Sequence, residues 1–252
     1  TGTLKWYFQG LPGDFHDWDM STVALVESAT GQEYVAASGK HGLLYLLDRA
    51  TGQKKWETAV TTRLNVDKPI DVFGVRYCPG TVGGVEWNGP AWSPPDSVVF
   101  VNSVDWCVTS ILGPAPRPEP GLPYTGLKNG YGTFDPVDQA RGWIHAVDVT
   151  SGAVRWKKQM PVPMIAGLAP TGGGVVFTGD AAGTFYALES ATGRELYRFR
   201  TGGGMGGGVI TYRHDGRQLV AALSGNSSRT FNASGSPSVL IFGLGGGDVP
   251  TP

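Results

Sequence analysis

Charge is scarce in this sequence. Asp, Glu, Lys and Arg make up 16% of 252 residues, with 20 basic against 21 acidic side chains and a net charge of −1. Near-neutrality argues against a nucleic-acid partner, whose phosphates call for a basic surface. No apolar run approaches the roughly 20 residues of a bilayer-spanning helix, so no membrane span is expected. The four His are scattered and disfavour a metal pair. No Cys-x-x-Cys-His occurs, so any haem has to come from a partner. Cys78 and Cys107 are the only cysteines. In a Trp-rich, low-lysine chain they fit a disulfide formed in an oxidising compartment; two buried free thiols are the alternative.

What is plentiful is turn chemistry and rings: 39 Gly, 18 Pro and 11% aromatics. That is the composition of a turn-rich all-β protein with ample core, long enough for one large or two ordinary domains.

One phrase recurs. It reads Tyr45-Leu-Leu-Asp48-Arg-Ala-Thr51-Gly52-Gln-Lys-Lys-Trp56, then His145-Ala-Val-Asp148-Val-Thr-Ser151-Gly152-Ala-Val-Arg-Trp156, then Tyr186-Ala-Leu-Glu189-Ser-Ala-Thr192-Gly193-Arg-Glu-Leu-Tyr197. Its tail opens the chain as Thr1-Gly2-Thr-Leu-Lys-Trp6. Alternating apolar residues, a carboxylate, a Thr/Ser-Gly turn and an aromatic four residues after the glycine spell a β-hairpin. The carboxylate is placed to accept hydrogen bonds from the turn's own N–H groups. A hairpin cannot bury its apolar face alone, so repeated hairpins must stack, and a Trp at a fixed position can pin one unit to the next.

The repeat divides the chain. Residues 1–9 read as an outer strand of a preceding unit. Units follow over 20–59, over 76–159 with an insertion at 113–139, over 163–201, and over 205–244, the last without a fourth strand; 245–252 is a tail. Within these, Val85–Asn88 and Ile165–Ala169 read as opening strands, and Thr61–Tyr77 as a polar connection. A stray strand at the start and a missing one at the end describe a ring that has been cut. The expected fold is all-β, a β-propeller present as a partial ring of about four four-stranded blades plus one strand. The chain starts without Met or a signal-peptide core and inside a repeat, so an N-terminal part is expected to precede it. Raw blade faces would then be covered by the missing half or by self-association.

The phrase Ala-x-Asp-x-x-Thr-Gly-x-x-x-Trp resembles the tryptophan-docking motif of the PQQ-dependent (quinoprotein) alcohol dehydrogenases, eight-bladed propellers around a central cofactor. Lys5-Trp-Tyr-Phe-Gln, His16-Asp-Trp-Asp19, Cys78-Pro-Gly, Pro161–Gly179 and Gly216-Arg-Gln-Leu-Val-Ala are similar to family segments in the same order. The chain resembles the C-terminal half of such an enzyme, and the spacing of Cys78 and Cys107 resembles a disulfide of the methanol dehydrogenase branch.

This resemblance implies PQQ, with Ca2+ or another metal held by residues outside this chain. The family's catalytic Asp and calcium ligands lie upstream of Thr1. Lys40, after Gly39, stands at the family's cationic donor to a quinone oxygen. Glu86 stands where the family has Asn; a carboxylate there implies a metal or substrate hydroxyl, or hands the role to Asn88, with an ordinary strand Glu paired with a nearby cation as the alternative. Ile165 replaces a Trp and can pack on a ring face without an N–H. Arg229 replaces another Trp and can pair with a carboxylate of PQQ, or equally lie at the surface. His16, Asp17 and Asp19 read as turn capping around Trp18, with substrate contact as the alternative.

The implied function is oxidation of an alcohol, polyol or sugar in the periplasm or outside the cell, with electrons passed to a cytochrome or dye. This part alone would be inactive. The departures at Glu86, Ile165 and Arg229 leave a second expectation, a non-catalytic propeller acting as a binding or assembly scaffold. A carbohydrate-binding propeller ranks last.

Overall fold

A computed structural model describes residues 2–114, 118–122 and 124–243. It consists of antiparallel sheets arranged as blades. The first blade is β1 (Met20–Glu27), β2 (Glu33–Gly39), β3 (Leu43–Asp48) and β4 (Lys54–Ala59), paired in that order. Next in sequence comes a short strand, β5 (Val75–Tyr77). The second blade pairs β6 (Pro90–Ser93) and β7 (Val98–Asp105) with two strands from beyond the insertion. Inside the excursion lie β8 (Val108–Ser110) and β9 (Thr133–Phe134), which join β5 in a small separate sheet, followed by a 3-10 turn at Val137–Gln139. The blade then resumes with β10 (Arg141–Asp148) and β11 (Val154–Met160).

The third blade is β12 (Ala169–Pro170), β13 (Val175–Gly179), β14 (Thr184–Glu189) and β15 (Glu195–Arg200). The fourth has three strands, β16 (Val209–His214), β17 (Arg217–Ser224) and β18 (Ser238–Gly243). Among the described residues no helix is long and apolar enough to cross a membrane. The expected tail 245–252, together with residues 1, 115–117, 123 and 244, lies outside the described residues.

Burial follows the pleat. Every residue from Val98 to Val104 in β7 is buried, because this strand has a blade on each side. Val99 and Val101 point to a cluster with Val26, Leu44 and Leu46 of the first blade. Their neighbours Val98 and Phe100 point the other way, to Val176, Tyr186 and Leu188 of the third blade. Successive side chains of a strand face opposite sides, so one apolar run serves two interfaces. Phe185 and Ala166 meet Val209, Val220 and Ala222 in the same way between the third and fourth blades. Each fully buried Val or Leu contributes about 1.5–3 kcal/mol.

The recurring phrase forms the hairpin expected of it. Asp48 Oδ1 accepts hydrogen bonds from Ala50 N, Thr51 N and Thr51 Oγ1, at 3.1, 3.0 and 2.9 Å. Asp148 Oδ1 repeats this with Thr150 N, Ser151 N and Ser151 Oγ. The pairing register shifts beside each turn, between Leu46 and Leu47, Ala146 and Val147, and Ala187 and Leu188. The turn glycine then receives the aromatic of the preceding unit. Trp6 lies on Gly52, Trp56 on Gly152 and Trp156 on Gly193; a Cβ at these glycines would come within 2.6, 2.8 and 2.7 Å of the indoles. The indole N–H groups donate to Arg49 O, Val149 O and Ser190 O at 2.8, 2.9 and 2.8 Å. Trp6 is thus docked as an outer-strand Trp although residues 2–9 pair with no strand.

Three local expectations are corrected. Val85–Asn88 is a turn, and the second blade begins at Pro90. Gly84 and Gly89 bracket it with φ of +72° and +61°, which breaks a ladder at both ends. The third blade begins at Ala169, four residues after Ile165. The end of the supposed polar connection Thr61–Tyr77 is also a strand, β5. Cys78 and Cys107 are joined in a disulfide, at the end of β5 and the start of β8.

Candidate functional site

β1, β6, β12 and β16 are the innermost strands; β1 packs on β6, β6 on β12 and β12 on β16. Where these strands begin and the second strands end, the loops of all four blades meet on one face. Lys40 leaves β2 there, Asp17 and Asp19 enter β1, and Glu86, Trp87 and Asn88 enter β6.

Backbone contacts fix this meeting. Lys40 N donates to Asp19 O at 2.9 Å and Val85 N to Gly39 O at 3.0 Å. A Cβ on Gly84 would sit 2.1 Å from Lys40 O, so only glycine lets the Val85–Trp87 segment lie against Lys40. Asp19, Met20, Ser21, Lys40, Glu86 and Trp87 line the resulting cleft, with Val85 at its base.

The Lys40 ammonium contacts Asp17 Oδ2 at 3.1 Å and Asp19 Oδ2 at 2.9 Å. Burial opposes its charge, but the bonds to Asp19 and Asp17 outweigh that and hold its pKa above the usual lysine value. Glu86 behaves oppositely. Burial pushes its carboxyl up to about 7; Lys40 pulls it down, and Asp19 and Asp17 push it further up. Glu86 Oε1 and Asn88 Oδ1 are buried without a hydrogen-bond partner among the described residues. Trp87 crosses the hub: its indole N–H donates to Gly206 O of the fourth blade at 2.7 Å, while half of the side chain stays exposed.

The other expected site residues lie apart from this cleft. Ile165 is fully buried with Val104, Trp106, Ala181 and Phe231, beneath the loop that follows β17 rather than on an open surface. Arg229 is exposed on that loop and enters none of the ion pairs formed among the described residues. The capping expected of His16, Asp17 and Asp19 falls instead to Asp14, which accepts from His16 N and Trp18 N at 2.9 and 2.7 Å. His16 is core: it stacks on Trp18 at 3.9 Å, and burial pushes its pKa down to about 4. Asp17, at φ +65°, and Asp19 turn outward to Lys40.

Sequence reasoning missed Trp87. Its flanking polar residues drew the attention, and its bond to Gly206 spans 119 positions that no local pattern reports.

A flat, anionic quinone such as PQQ requires hydrogen-bond donors and a planar apolar face. Two of the three Lys40 N–H groups are engaged by Asp17 and Asp19, which leaves one to donate. Glu86 fits beside an anion in its protonated form, when its O–H is a donor, and a carboxyl with a pKa of about 7 can hold that proton. The half-exposed Trp87 indole supplies a planar apolar face. The residues present therefore fit one wall of such a site, with Lys40, protonated Glu86 and Trp87 as the groups that would hold it.

Comparison with known proteins gives the same direction. A family profile described as "Outer membrane protein assembly factor BamB" matches residues 140–237. The chain is 27% identical to quinoprotein ethanol dehydrogenase of Pseudomonas putida and 29% identical to lanthanide-dependent methanol dehydrogenase of Methylorubrum extorquens. Each alignment covers 89% of this chain and 40% and 42% of the relative. The chain thus spans about 40% of the length of these curated relatives. Quinohemoprotein alcohol dehydrogenase from Comamonas testosteroni superposes with a TM-score of 0.74 at 26% identity, over 97% of this chain and 41% of that one. A second quinohemoprotein alcohol dehydrogenase, from Pseudomonas putida HK5, shares the fold with a TM-score of 0.81 at 20% identity, over 100% and 43%. In its repeat, its partial ring of blades and these alignments, the chain is similar to the quinoprotein alcohol dehydrogenases over most of its length.

Proposed function

We propose that this chain is the C-terminal part of a PQQ-dependent dehydrogenase that oxidises an alcohol, polyol or sugar in the periplasm or outside the cell. The observation that carries the reading is the Lys40–Glu86–Trp87 wall at the hub face of a chain aligned over 89% of its length with quinoprotein dehydrogenases. PQQ, when bound, supplies the two-electron acceptor for the alcohol. Lys40 positions a charge-assisted donor at the rim of that site, held in place by Asp17 and Asp19. Glu86 takes up a proton when an anion approaches, because a neighbouring negative charge raises a carboxyl pKa further. Trp87 ties the second blade to the fourth and shields one side of the cleft from water.

In this reading the alcohol-deprotonating Asp and the ligands of Ca2+ or another metal lie upstream of Thr1, and this part alone is inactive. Its partner is the rest of a larger ring, supplied by the upstream half or by self-association. Electrons leave to a cytochrome or an added dye. The test is dye-linked alcohol oxidation by the full-length protein loaded with PQQ and calcium; turnover together with retained quinone absorbance supports the reading, and neither appearing refutes it.

A second reading, a propeller that serves as a binding or assembly scaffold, is favoured by one observation. Ile165 lies under Phe231 and Arg229 stands in solvent, so two expected cofactor contacts are not on the wall.

A further inference from the structure

In the second blade an arginine and an aspartate stand opposite each other and do not pair. Asp105 ends β7, Arg141 opens β10, and the two are register partners across the ladder. Side chains so placed are about 5 Å apart at Cβ, close enough for opposite charges to meet. Each is held back by other bonds. Asp105 Oδ2 accepts from Thr62 Oγ1 at 2.9 Å and from Trp143 Nε1 at 2.7 Å. Arg141 Nη1 donates to Asp138 O and Ala140 O at 2.6 and 2.9 Å and reaches Pro161 O at 3.5 Å. Neither residue enters an ion pair among the described residues. Among those residues, Asp105 Oδ1 and the Nε and Nη2 groups of Arg141 have no hydrogen-bond partner.

Both residues line a groove of about 280 Å³. Leu64, 41% exposed, gives it an apolar side, and Thr62 and Gln139 add neutral polar groups. The buried Cys78–Cys107 disulfide and Trp106 form its base. Its other two charges, Arg76 and Asp135, are already joined by two hydrogen bonds. The groove opens on the same face as the hub cleft, since Asp105 ends a second strand as Gly39 does. It lies further out, where a third strand begins, and shares no lining residue with the cleft.

Charge selects the ligand. Two arginines and two aspartates line the groove, so their formal charges cancel. An anion would be met by the open oxygen of Asp105, and a cation by the open nitrogens of Arg141. A hydroxyl both donates and accepts, so neighbouring hydroxyls can donate to Asp105 and accept from Arg141 at once. Both bonds are charge-assisted, the stronger kind. The C–H face of such a molecule has Leu64 to rest on. The volume lies at the low end for small-molecule sites and suits a single sugar ring or a short polyol chain.

We propose that the groove between Asp105 and Arg141 binds a neutral polyol or monosaccharide, whose vicinal hydroxyls bridge the two held-apart charges. The site is separate from the hub cleft and stands whether or not the hub holds a quinone. Thr62 and Trp143 act here as positioning residues: they fix one oxygen of Asp105 and leave the other for the ligand.

The test is fluorine NMR of the full-length protein labelled with fluorotryptophan, titrated with D-mannitol, D-glucose and, as a zwitterion, glycine. Trp143 bonds Asp105 and Trp106 lies at the base of the groove, so both report on this site; Trp87 reports on the hub. The Trp143 and Trp106 signals are expected to move saturably with mannitol or glucose and not with glycine. Asp105→Asn, which keeps the shape of the side chain, and Arg141→Gln are each expected to weaken that binding at least tenfold, read at Trp106. No saturable movement of Trp143 up to about 0.1 M of either polyol, far above a millimolar Kd, overturns the proposal. So does movement of Trp87 alone, glycine binding as tight as the polyols, or an unchanged Kd in Asp105→Asn, which decides the matter even if Arg141→Gln fails to fold.

Discussion

The indole N–H of Trp56 meets the carbonyl of Val149 at 2.9 Å, and the face of its ring lies on Gly152. The two residues belong to different blades, 93 positions apart in sequence. The contact is therefore a tertiary pin. Replacing Trp56 by Ala removes the ring and the bond together and should cost about 3–5 kcal/mol. Trp56→Phe keeps the ring and loses the bond, which should cost about 1 kcal/mol more than the change in area alone. Gly152→Val places a Cβ against the indole at a φ of +73° and should destabilise as Trp56→Ala does. Urea unfolding of the three variants orders them.

The turn carboxylates make the same pins sensitive to acid. At Asp48 the Thr51 hydroxyl and N–H hold the carboxyl below its ordinary value, with Lys55 and Ala50 N adding to this. Burial works against the Asp148 carboxyl, but Arg155 and Ser151 outweigh it and also hold it low. A depressed folded pKa means stability that is present above the unfolded value, near 3.8, and lost as pH falls through the folded one. Asp48→Asn and Asp148→Asn should each flatten the acid limb of a stability–pH curve and lower the plateau near neutrality.

Glu86 has the opposite sign. Its folded pKa of about 7 lies above the model-compound value of 4.5. Between these pH values the unfolded chain has released the proton while the folded one keeps it, so stability falls as pH rises from about 4.5 to about 7 and then levels. Glu86→Gln should remove that slope, leaving the variant more stable above pH 7 by up to about 3 kcal/mol. Lys40 lowers the Glu86 pKa, so Lys40→Met should move the Glu86 titration upward. Carboxyl-carbon NMR titration reads both.

The disulfide closes a loop of 29 positions. Chain-entropy arguments give such a cross-link about 3–4 kcal/mol. Cys78→Ser with Cys107→Ser should lower the urea midpoint accordingly. The loosening should be concentrated at β5 and β8, which the bond joins, and hydrogen exchange by mass spectrometry locates it.

Much of the propeller could be read from residues alone, because two periods coincide there. Alternation places Val99 and Val101 on one blade face and Phe100 on the other, and the Asp-x-x-Thr/Ser-Gly turn with its later aromatic marks each third and fourth strand. The small sheet was not legible: β5, β8 and β9 have three, three and two residues, too few to show a period. Val85–Asn88 reads as a strand by composition, and its turn depends on positive φ at Gly84 and Gly89 and on contacts to Lys40 and Thr22. The site was half legible. Lys40 and Glu86, singled out by position, line one cleft. That Asp17 and Asp19 engage Lys40, that Asp14 caps the loop, that Ile165 lies under Phe231 and that Trp87 reaches Gly206 are all consequences of tertiary placement.

The most direct measurement is equilibrium binding of PQQ to the full-length protein with calcium, followed by quenching of tryptophan fluorescence from pH 6 to 9. Lys40, Glu86 and Trp87 as the wall of the quinone site predict binding that weakens above pH 7, a loss of pH dependence in Glu86→Gln, and at least tenfold weaker binding in Lys40→Met. No saturable binding by the parent protein, or equal affinity for parent and Lys40→Met at every pH, would contradict it.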